Sequence, residues 1–454
     1  MKIIIAGGGK IGYSVADILS GEGHDITVID TDPETVMNIS NNLDVICVEG
    51  SATSVETLIE AGAKDADLVF AAMRSDEMNM VCGITAHKLG SKHVIARIRD
   101  DTYMRQTEFL REVLGLSKVV NPELECAREI ARILRFPSAV RVDSFSKGRL
   151  EIIEHRVSKD SKLDGMKMCD LARDFGAKVL IGIVQRGSEA IIPNGSFVLQ
   201  NGDMLTVTGT VSEMRRFFVA AGQYKKPVKN VMIMGGGRIT VHLTRLLHES
   251  GISVTVVESS PERCDSLCEL IPEARIINAD ATRSEVLQEE GIRTADAFVA
   301  LTGDDGDNIV TSLYAKSFNV GKIVVKANRE YYTDILTSAG IDAAVTPKAT
   351  VSQQLAQYVR AKNNSQGSSM ETLYRLADGK AEALEFAVSS GSAIIGKPLK
   401  ELHFKPNTLL CAVVRGNTTI IPDGSTVIAA NDHVVVVTGS GWLKRLEDIL
   451  EDKA

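Results

Sequence analysis

The sequence predicts an α/β protein with two tandem Rossmann-like lobes, each a doubly wound parallel sheet and each followed by a small α+β C-terminal lobe. Two observations support this fold class. Short apolar runs alternate with amphipathic stretches, which is typical of a parallel sheet covered by helices on both faces. The pattern also occurs twice, because "IIIAGGGKIG" at residues 3–12 returns as "VMIMGGGRIT" at residues 231–240.

The duplication extends along the chain. The stretch "TVIDTDPE" from Thr27 matches "TVVESSPE" from Thr255, and "KDADLVFAA" matches "RTADAFVAL" at nearly the same offset. Near the end of each copy, "IPNGSFVLQNGDMLTVTG" from Ile192 matches "IPDGSTVIAANDHVVVVTG" from Ile421. Collinear matches of this kind indicate one duplicated unit rather than two unrelated domains that share a motif.

The first segment of copy one predicts alternating strands and helices. Apolar runs predict strands at "KIIIAG", "DITVID", "DVICVEG", "ADLVFAA" and "HVIARI". The amphipathic stretches that follow them predict helices near residues 11–20, 33–40, 54–61, 76–89 and 101–114. A last short strand precedes Pro122, and proline favours the first position of a helix, which would carry the chain out of this lobe.

The second segment of each copy has a different pattern. In copy one, "LEIIEHRV", a helical "LDGMKMCDLA", "VLIGIVQRG", "EAIIPNG" and "DMLTVTGT" are separated by turn sequences, which indicates a small α+β lobe. In copy two, "AKNNSQGSSMET" at residues 361–372 indicates a flexible linker or loop. The predicted domains are a first N-lobe at 1–120, a connecting helix at 121–137, a first C-lobe at 138–224, a second N-lobe at 229–345, a connecting helix and linker at 346–371, and a second C-lobe at 372–454.

Composition excludes several classes of protein. The 454 residues are too many for one ordinary domain, and 44% hydrophobic and 24% charged residues are ordinary globular values. The net charge of −8, without a basic run, argues against a nucleic-acid partner. No apolar run approaches the roughly 18 residues that span a bilayer, and the N-terminus shows no signal peptide. The seven scattered cysteines indicate reduced thiols of a cytosolic protein.

The glycine-rich turn of copy one predicts nucleotide binding. Gly7 permits the tight turn, Gly9 lets the backbone approach a pyrophosphate, and Gly12 lets the helix pack closely against the strand. The N–H groups at the start of the helix would hold the anion. Asp30, at the end of the second strand, can accept hydrogen bonds from both ribose hydroxyls and repel a 2′-phosphate. This favours NAD or another adenine nucleotide over NADP.

Copy two repeats this arrangement with departures. Gly235, Gly237 and Glu258 take the corresponding positions, but Thr240 stands where copy one has its third glycine. We expect its branched Cβ to push the start of the helix outward or to alter the turn. The two sites should therefore be unequal, with the first the better NAD site.

Further candidates come from the carboxyl ends of the third to fifth strands, where ligands bind in an open α/β sheet. Arg97 is a buried-looking cation that could face a phosphate, whereas its counterpart Lys326 fits a structural ion pair equally well. Gly303 is a candidate to line the adenosine side. The predicted cofactor-binding residues are Gly7, Gly8, Gly9, Lys10, Ile11, Gly12, Asp30, Ser51, Met73, Arg74, Arg97, Gly235, Gly236, Gly237, Arg238, Ile239, Glu258, Asp280 and Thr302.

The acidic stretch "DDGDN" at residues 304–308 allows two interpretations. It could form a metal-binding loop. The pairs Asp76 with Asn79 and Asp305 with Asn308 also fit caps of the helix that follows, and we favour capping.

The sequence predicts no catalytic and no metal-binding residues. A dehydrogenase needs an acid or base near the nicotinamide. The eight histidines form no motif, and no GxSxG, HExxH, CxxC or Walker sequence occurs. We therefore expect a site that binds a nucleotide without transforming it.

The repeated stretches "MKIIIAGGGKIG", "ADLVFAAMRSDEMN", "ARIRD" and "IPNGSFVLQNGDMLTVTG" together resemble the TrkA family, whose members are regulatory subunits of Trk potassium-uptake systems. The units of this family are RCK (KTN) domains, each a Rossmann-like N-lobe with a small C-lobe. The resemblance covers essentially the whole chain. It implies a cytoplasmic protein, peripheral on the inner face of the cell membrane, that forms a homotetrameric ring beneath a TrkH-type channel subunit.

The resemblance also implies the ligands. NAD(H), and ADP or ATP, bound in the N-lobes would change the shape of the ring and so the conductance of the channel. Two other functions stay open. One is a sensor of another ligand, such as a cyclic dinucleotide held by the small lobes, and the other is an NAD-dependent oxidoreductase.

Overall fold

The computed structural model describes the chain except for residues 137–140, 146–148, 224–225, 329–331, 333–334, 337–338, 365–369, 378–379, 440–442, 444 and 452–454. The predicted domain ends at 137, 138 and 224 and the middle of the predicted linker, 365–369, lie outside the described residues. The chain divides into two compact units, residues 1–131 with 229–356 and residues 132–228 with 357–454. Each unit therefore combines corresponding parts of the two copies.

The first unit contains two six-stranded parallel sheets with the same strand order, third-second-first-fourth-fifth-sixth. The order reverses between the first and fourth strands, which opens a crevice at their carboxyl ends. The predicted fold class is thus confirmed. The strands of the first sheet are β1 (Lys2–Ala6), β2 (Asp25–Asp30), β3 (Ile46–Glu49), β4 (Leu68–Ala71), β5 (His93–Arg97) and β6 (Lys118–Val120). Those of the second are β12 (Asn230–Met234), β13 (Ser253–Glu258), β14 (Arg275–Asn278), β15 (Ala297–Ala300), β16 (Lys322–Lys326) and β17 (Ala343–Val345).

Helices connect the strands of each parallel sheet, and one more helix follows its last strand. In copy one they are α1 (Lys10–Gly21), α2 (Pro33–Asn42), α3 (Val55–Glu60), α4 (Asp76–Leu89), α5 (Asp101–Arg105), α6 (Thr107–Leu114) and α7 (Pro122–Arg135). In the described part of copy two they are α10 (Arg238–Glu249), α11 (Pro261–Leu270), α12 (Ser284–Glu289), α13 (Asp305–Ser317) and α14 (Pro347–Asn364). The single helix predicted at 101–114 is wrong, because Gln106, with φ −107° and ψ 17°, separates α5 from α6.

Apolar residues fill the central strands because helix crossovers cover a parallel sheet on both faces. Ile5 on β1, Phe70 on β4 and Phe298 on β15 have no measurable exposure.

Polar contacts join the two N-lobes inside the first unit. Arg245 Nη1 lies 3.1 Å from Asp101 Oδ2. Among the described residues, no helix is both long and apolar enough to cross a bilayer.

The second unit contains two five-stranded antiparallel sheets that also share one topology. The first sheet has the order β7-β8-β11-β9-β10, with strands β7 (Arg141–Phe145), β8 (Leu150–Arg156), β9 (Leu180–Arg186), β10 (Glu189–Ile191) and β11 (Met204–Gly209). The second has the order β18-β19-β22-β20-β21, with strands β18 (Met370–Leu376), β19 (Ala381–Ala387), β20 (Thr408–Arg415), β21 (Thr418–Ile420) and β22 (His433–Thr438).

The small lobes differ in their helices. The first contains α8 (Met168–Phe175) and α9 (Val211–Ala220), whereas the described part of the second has short 3-10 helices at Leu399–Glu401 and Leu446–Ile449. One apolar cluster joins the two lobes, in which the rings of Phe145 and Tyr374 lie 4.6 Å apart.

Candidate nucleotide-binding site

The crevice of each parallel sheet holds a cleft, of about 410 Å³ in the first N-lobe and about 450 Å³ in the second. Both volumes lie in the range of small-molecule sites, about 300–1,000 Å³. Of the predicted residues, the first cleft is lined by Gly7, Gly9, Asp30, Ser51, Met73 and Arg74. The second is lined by Gly235, Gly236, Gly237, Glu258, Asp280, Thr302 and the candidate Gly303.

The carboxylate at the end of the second strand is tied to the glycine turn in both lobes. Gly8 N donates to Asp30 Oδ2 at 2.6 Å, and Gly236 N donates to Glu258 Oε2 at 2.7 Å. The other oxygen of each carboxylate accepts from the N–H two residues farther along, at 3.0 and 2.9 Å. The extra methylene of Glu258 therefore leaves this contact intact. Because an ionised carboxylate has about four acceptor sites, each can still bind ribose hydroxyls.

The glycine turns have nearly the same backbone in the two lobes. Gly7 has φ +105° and Gly235 has φ +96°, in the region that favours glycine. Gly9 and Gly237 have φ −63° and −70°, with ψ −174° in both. The change in the turn that we considered for copy two is therefore not seen at these glycines.

Thr240 is accommodated inside the turn. With the backbone of copy one, a Cβ at Gly12 would lie 1.9 Å from the carbonyl oxygen of Gly7. Thr240 is completely buried, and its hydroxyl donates to the carbonyl of Gly235 at 2.6 Å. The side chain thus replaces close helix packing with a hydrogen bond to the turn.

The helices that follow the turns have open N-termini. Lys10, Ile11 and Gly12 lie in the first turn of α1, and α10 begins at Arg238. Neither helix has a side-chain hydrogen bond at its N-cap. Backbone N–H groups at a helix start have no partner within the helix, and they favour an anion there.

The predicted capping role of Asp76, Asn79, Asp305 and Asn308 is wrong. The cap of α4 is Ser75, whose Oγ accepts from Met78 N at 3.3 Å. The cap of α13 is Asp304, whose Oδ1 accepts from Asp307 N at 2.9 Å. The four predicted residues lie in the first turn of each helix, where they bond to other parts of the lobe.

The two asparagines tie the carboxyl ends of the fourth and fifth strands together. Asn79 accepts from Met73 N at 2.8 Å and donates to the carbonyls of Met73 at 3.1 Å and Arg97 at 2.9 Å. Asn308 makes the same bonds, at 3.0, 3.3 and 3.0 Å, to Thr302 and Lys326. Both are fully buried, so these bonds hold the backbone at the edge of each cleft.

The aspartates tie down the segment after the fifth strand. Asp76 Oδ2 accepts from Arg99 N and Asp100 N, each at 2.8 Å. Both carboxylate oxygens of Asp305 accept from Asn328 N at 3.0 Å. These structural bonds disfavour the interpretation of residues 304–308 as a metal-binding loop.

Arg97 and Lys326 occupy matching positions behind the clefts. The Arg97 guanidinium donates to the carbonyl of Met73, and Lys326 Nζ donates to the carbonyl of Thr302 at 3.0 Å. Burial, together with the nearby Arg99 guanidinium, lowers the pKa of Arg97 from its usual value. Neither side chain lines the main cleft of its own lobe.

A smaller cleft of about 250 Å³ lies between the N-lobes. It is lined by Gly237, Arg238 and Ile239 at the start of α10, and by Arg99 and Glu123 of the first N-lobe among others. Arg99 and Glu123 form an ion pair. The anion-favouring end of α10 is therefore next to charged residues of the other N-lobe.

Ser51 and Asp280 occupy matching positions at the end of the third strand. Ser51 Oγ lies 2.8 Å from Thr53 Oγ1. Asp280 Oδ1 accepts from the N–H and hydroxyl of Thr282 at 2.9 and 2.7 Å, and the hydroxyl bond holds the pKa of Asp280 below its usual value.

Sequence reasoning missed one difference between the clefts. The first cleft is lined by Asp32 and Thr35 of the α2 start, and the hydrogen bond from Thr35 lowers the pKa of Asp32. The second is lined by Arg263, whose Nε donates to the carbonyl of Gly236 at 2.7 Å. Thr35 and Arg263 stand two residues after the matching prolines of the two copies, so aligning the copies would have found the difference.

The chain matches two family models, each of them twice. The TrkA-N domain matches residues 3–122 and 231–347, and the TrkA-C domain matches residues 152–221 and 383–451. The whole chain is 31% identical to the Trk system potassium uptake protein TrkA homolog of Archaeoglobus fulgidus, over 99% of this chain and 100% of the relative. It is 30% identical to Trk system potassium uptake protein TrkA of Haemophilus influenzae, over 96% of this chain and 95% of the relative.

Among solved structures, the chain resembles the GsuK channel bound to NAD. The TM-score is 0.62 with 21% identity, and the alignment covers 97% of this chain and 77% of the channel. At this identity the likeness shows a shared fold.

Proposed function

The chain belongs to the TrkA family, and from this premise we propose that it is the nucleotide-sensing regulatory subunit of a Trk-type potassium transport system. In this proposal NAD(H) or an adenine nucleotide binds in the two N-lobe clefts and controls a membrane-embedded channel partner of the TrkH type. The subunit assembles into a homotetrameric ring, in the cytoplasm, on the inner face of the cell membrane.

The observation that carries the proposal is the pair of clefts built on one plan. Each combines a glycine turn with positive φ, a carboxylate tied to that turn, and a helix start without a side-chain cap. These features suit a ribose and a pyrophosphate. Among the described residues that line the two clefts, none is histidine, cysteine or lysine. The described lining therefore offers carboxylates, but no imidazole, thiol or amine, as a possible acid or base.

The smaller cleft between the N-lobes suggests how binding could act at a distance. A ligand shifts a conformational equilibrium only if it binds two states with different affinity. Phosphates at the start of α10 would lie near Arg99 and Glu123 of the other N-lobe. The affinity of the second cleft would then depend on how the two N-lobes pack.

The proposal is tested by calorimetry on the full chain with NADH, NAD, ADP and ATP, together with NADH absorbance followed over time. We expect saturable binding and constant absorbance. Steady consumption of NADH with a small substrate would instead support an oxidoreductase, and the absence of binding by all four nucleotides would contradict the proposal.

We predict self-association, because a ring needs more RCK units than the two on one chain. Light scattering should give a mass that is a multiple of 49.0 kDa at micromolar concentration. A monomer both with and without nucleotide would contradict the proposed ring.

Arg263 should affect which nucleotide the second cleft accepts. A guanidinium forms charge-assisted hydrogen bonds with phosphate, so it should offset part of the repulsion that Glu258 exerts on a 2′-phosphate. In the parent background, where Asp30 repels the 2′-phosphate of NADPH from the first cleft, Arg263→Thr should lower affinity for NADPH about tenfold, the loss of roughly one such bond. Affinity for NADH should change much less. Calorimetry with the two dinucleotides checks this.

The matched control is Arg263→Lys, which keeps the positive charge and should retain part of the affinity for NADPH. If Arg263→Thr weakens NADH and NADPH equally, Arg263 serves only to hold the carbonyl of Gly236.

A further inference from the structure

Three side chains from adjacent strands of the second C-lobe converge away from the nucleotide clefts. Glu371 is on β18, Glu385 on β19 and His433 on β22. His433 Nδ1 lies 3.0 Å from Glu371 Oε2 and 3.5 Å from Glu385 Oε1. One donor atom from each of the three residues lies within 4.8 Å of the other two.

The sheet register explains the convergence. His433 is opposite Ala387 and Val435 is opposite Glu385, so His433 and Glu385 are diagonal neighbours on one face of the sheet. The pairing of β18 with β19 shifts between Met370 and Thr372, which makes Glu371 the extra residue of a β-bulge. Bulges re-aim side chains, and this one brings Glu371 to the face that carries the other two.

We propose that Glu371, Glu385 and His433 bind a divalent transition-metal ion of the zinc class. Zn²⁺ binds imidazole nitrogen and carboxylate oxygen at about 2.0–2.2 Å, so the donor atoms of a tetrahedral site lie about 3.4 Å apart. The two measured distances from Nδ1 fall on either side of this value. One imidazole and two carboxylates leave one position for water or a fourth ligand.

Burial and hydrogen bonding support an ion at this position. The Glu385 side chain is only 3% exposed, whereas Glu371 is 47% exposed and gives the site access to solvent. His433 Nδ1 is buried and has no hydrogen-bond partner, although two carboxylates lie nearby. A metal ion held by the two carboxylates would give this nitrogen a partner.

No matching donor set is found in the described part of the first C-lobe. Its β11 begins at Met204, opposite Arg156, where β22 begins at His433. The carboxylate partner is retained, because Glu154 is opposite Thr206 as Glu385 is opposite Val435. Since the first lobe offers no imidazole at this place, we expect one site per chain. Glu154 supplies a matched control.

The test is Zn²⁺ binding to the full chain, by competition with a chromophoric chelator, with Co²⁺ absorption in the visible region as a second readout. The parent should bind one tight equivalent. His433→Asn and Glu371→Gln should each weaken it at least about tenfold, the smallest loss expected when even an outer partner of a ligand is removed. Glu154→Gln should bind like the parent.

Glu371→Gln changes a half-exposed side chain, so it separates loss of metal from loss of fold if His433→Asn fails to fold. Zn²⁺ should also raise the thermal midpoint of the parent, because a ligand of the native state stabilises it. The proposal is overturned if the parent does not bind one equivalent of Zn²⁺ tightly, or if Glu371→Gln binds Zn²⁺ as tightly as the parent. It is also overturned if Glu154→Gln loses as much Zn²⁺ affinity as Glu371→Gln.

Discussion

Replacing Gly7 by alanine is expected to destabilise the first N-lobe by about 2–4 kcal/mol, because the substitution combines backbone strain with steric overlap. Gly7 has φ +105°, which residues with a Cβ rarely adopt. A Cβ there would also lie 3.0 Å from the backbone atoms Ala72 C and Met73 N. Neither neighbour can move easily, since Asn79 holds Met73. In thermal and urea unfolding of the full chain, the first transition should move to a lower temperature and to a lower urea concentration.

Gly9→Ala is the matched control in the same turn. Gly9 has φ −63°, and an added Cβ there would meet no heavy atom within 4 Å. We expect its free energy of unfolding to stay within about 0.5 kcal/mol of the parent value, as for a surface substitution that causes no crowding. Equal effects of the two substitutions would show that Gly7 is not needed for the backbone of the turn.

Asp30→Ala is expected to weaken NADH binding by the first cleft about 5- to 150-fold, the equivalent of 1–3 kcal/mol. Two effects combine. The ribose hydroxyls lose a charged acceptor, and Gly8 N loses the 2.6 Å bond that holds the turn. Calorimetry in a chain that also carries Glu258→Ala isolates the first cleft, because Glu258 has the corresponding role in the second.

Asp25→Ala is the control for Asp30, because Asp25 is an exposed carboxylate at the other end of the same strand. It should leave NADH affinity unchanged. If Asp30→Ala binds NADH as tightly as the parent, the ribose does not lie against Asp30 and the proposed orientation of the nucleotide is wrong.

The sheets of the N-lobes could be predicted from local pattern, because buried parallel strands are short, continuous apolar runs between turn residues. "KIIIA" and "LVFA" are of this kind, and both are central strands. The break at Gln106 could not be predicted, since no glycine or proline marks it. Nor does periodicity within one copy show that corresponding lobes pair with each other, because that pairing depends on contacts distant in sequence.

The candidate clefts could be located from the glycine turns and the carboxylates that follow them, because these residues belong to one local strand–helix–strand segment of the sequence. The capping role predicted for Asn79 is wrong, although asparagine is a preferred residue at an N-cap. Here it is buried and bonds across two strands. The group of Glu371, Glu385 and His433 had no signal at all, because its members are far apart along the chain and meet only through strand order and a bulge.

The joining of two N-lobes in one polypeptide affects how these sites can diverge by mutation. When an assembly consists of identical subunits with one N-lobe each, an inherited substitution appears in every N-lobe. No single site can then change alone. In this chain, Thr240, Arg263 and His433 each occur in one copy only. Any assembly of it therefore holds two kinds of cleft in equal number. Selection can adjust the affinity of one kind while the other keeps its original ligand.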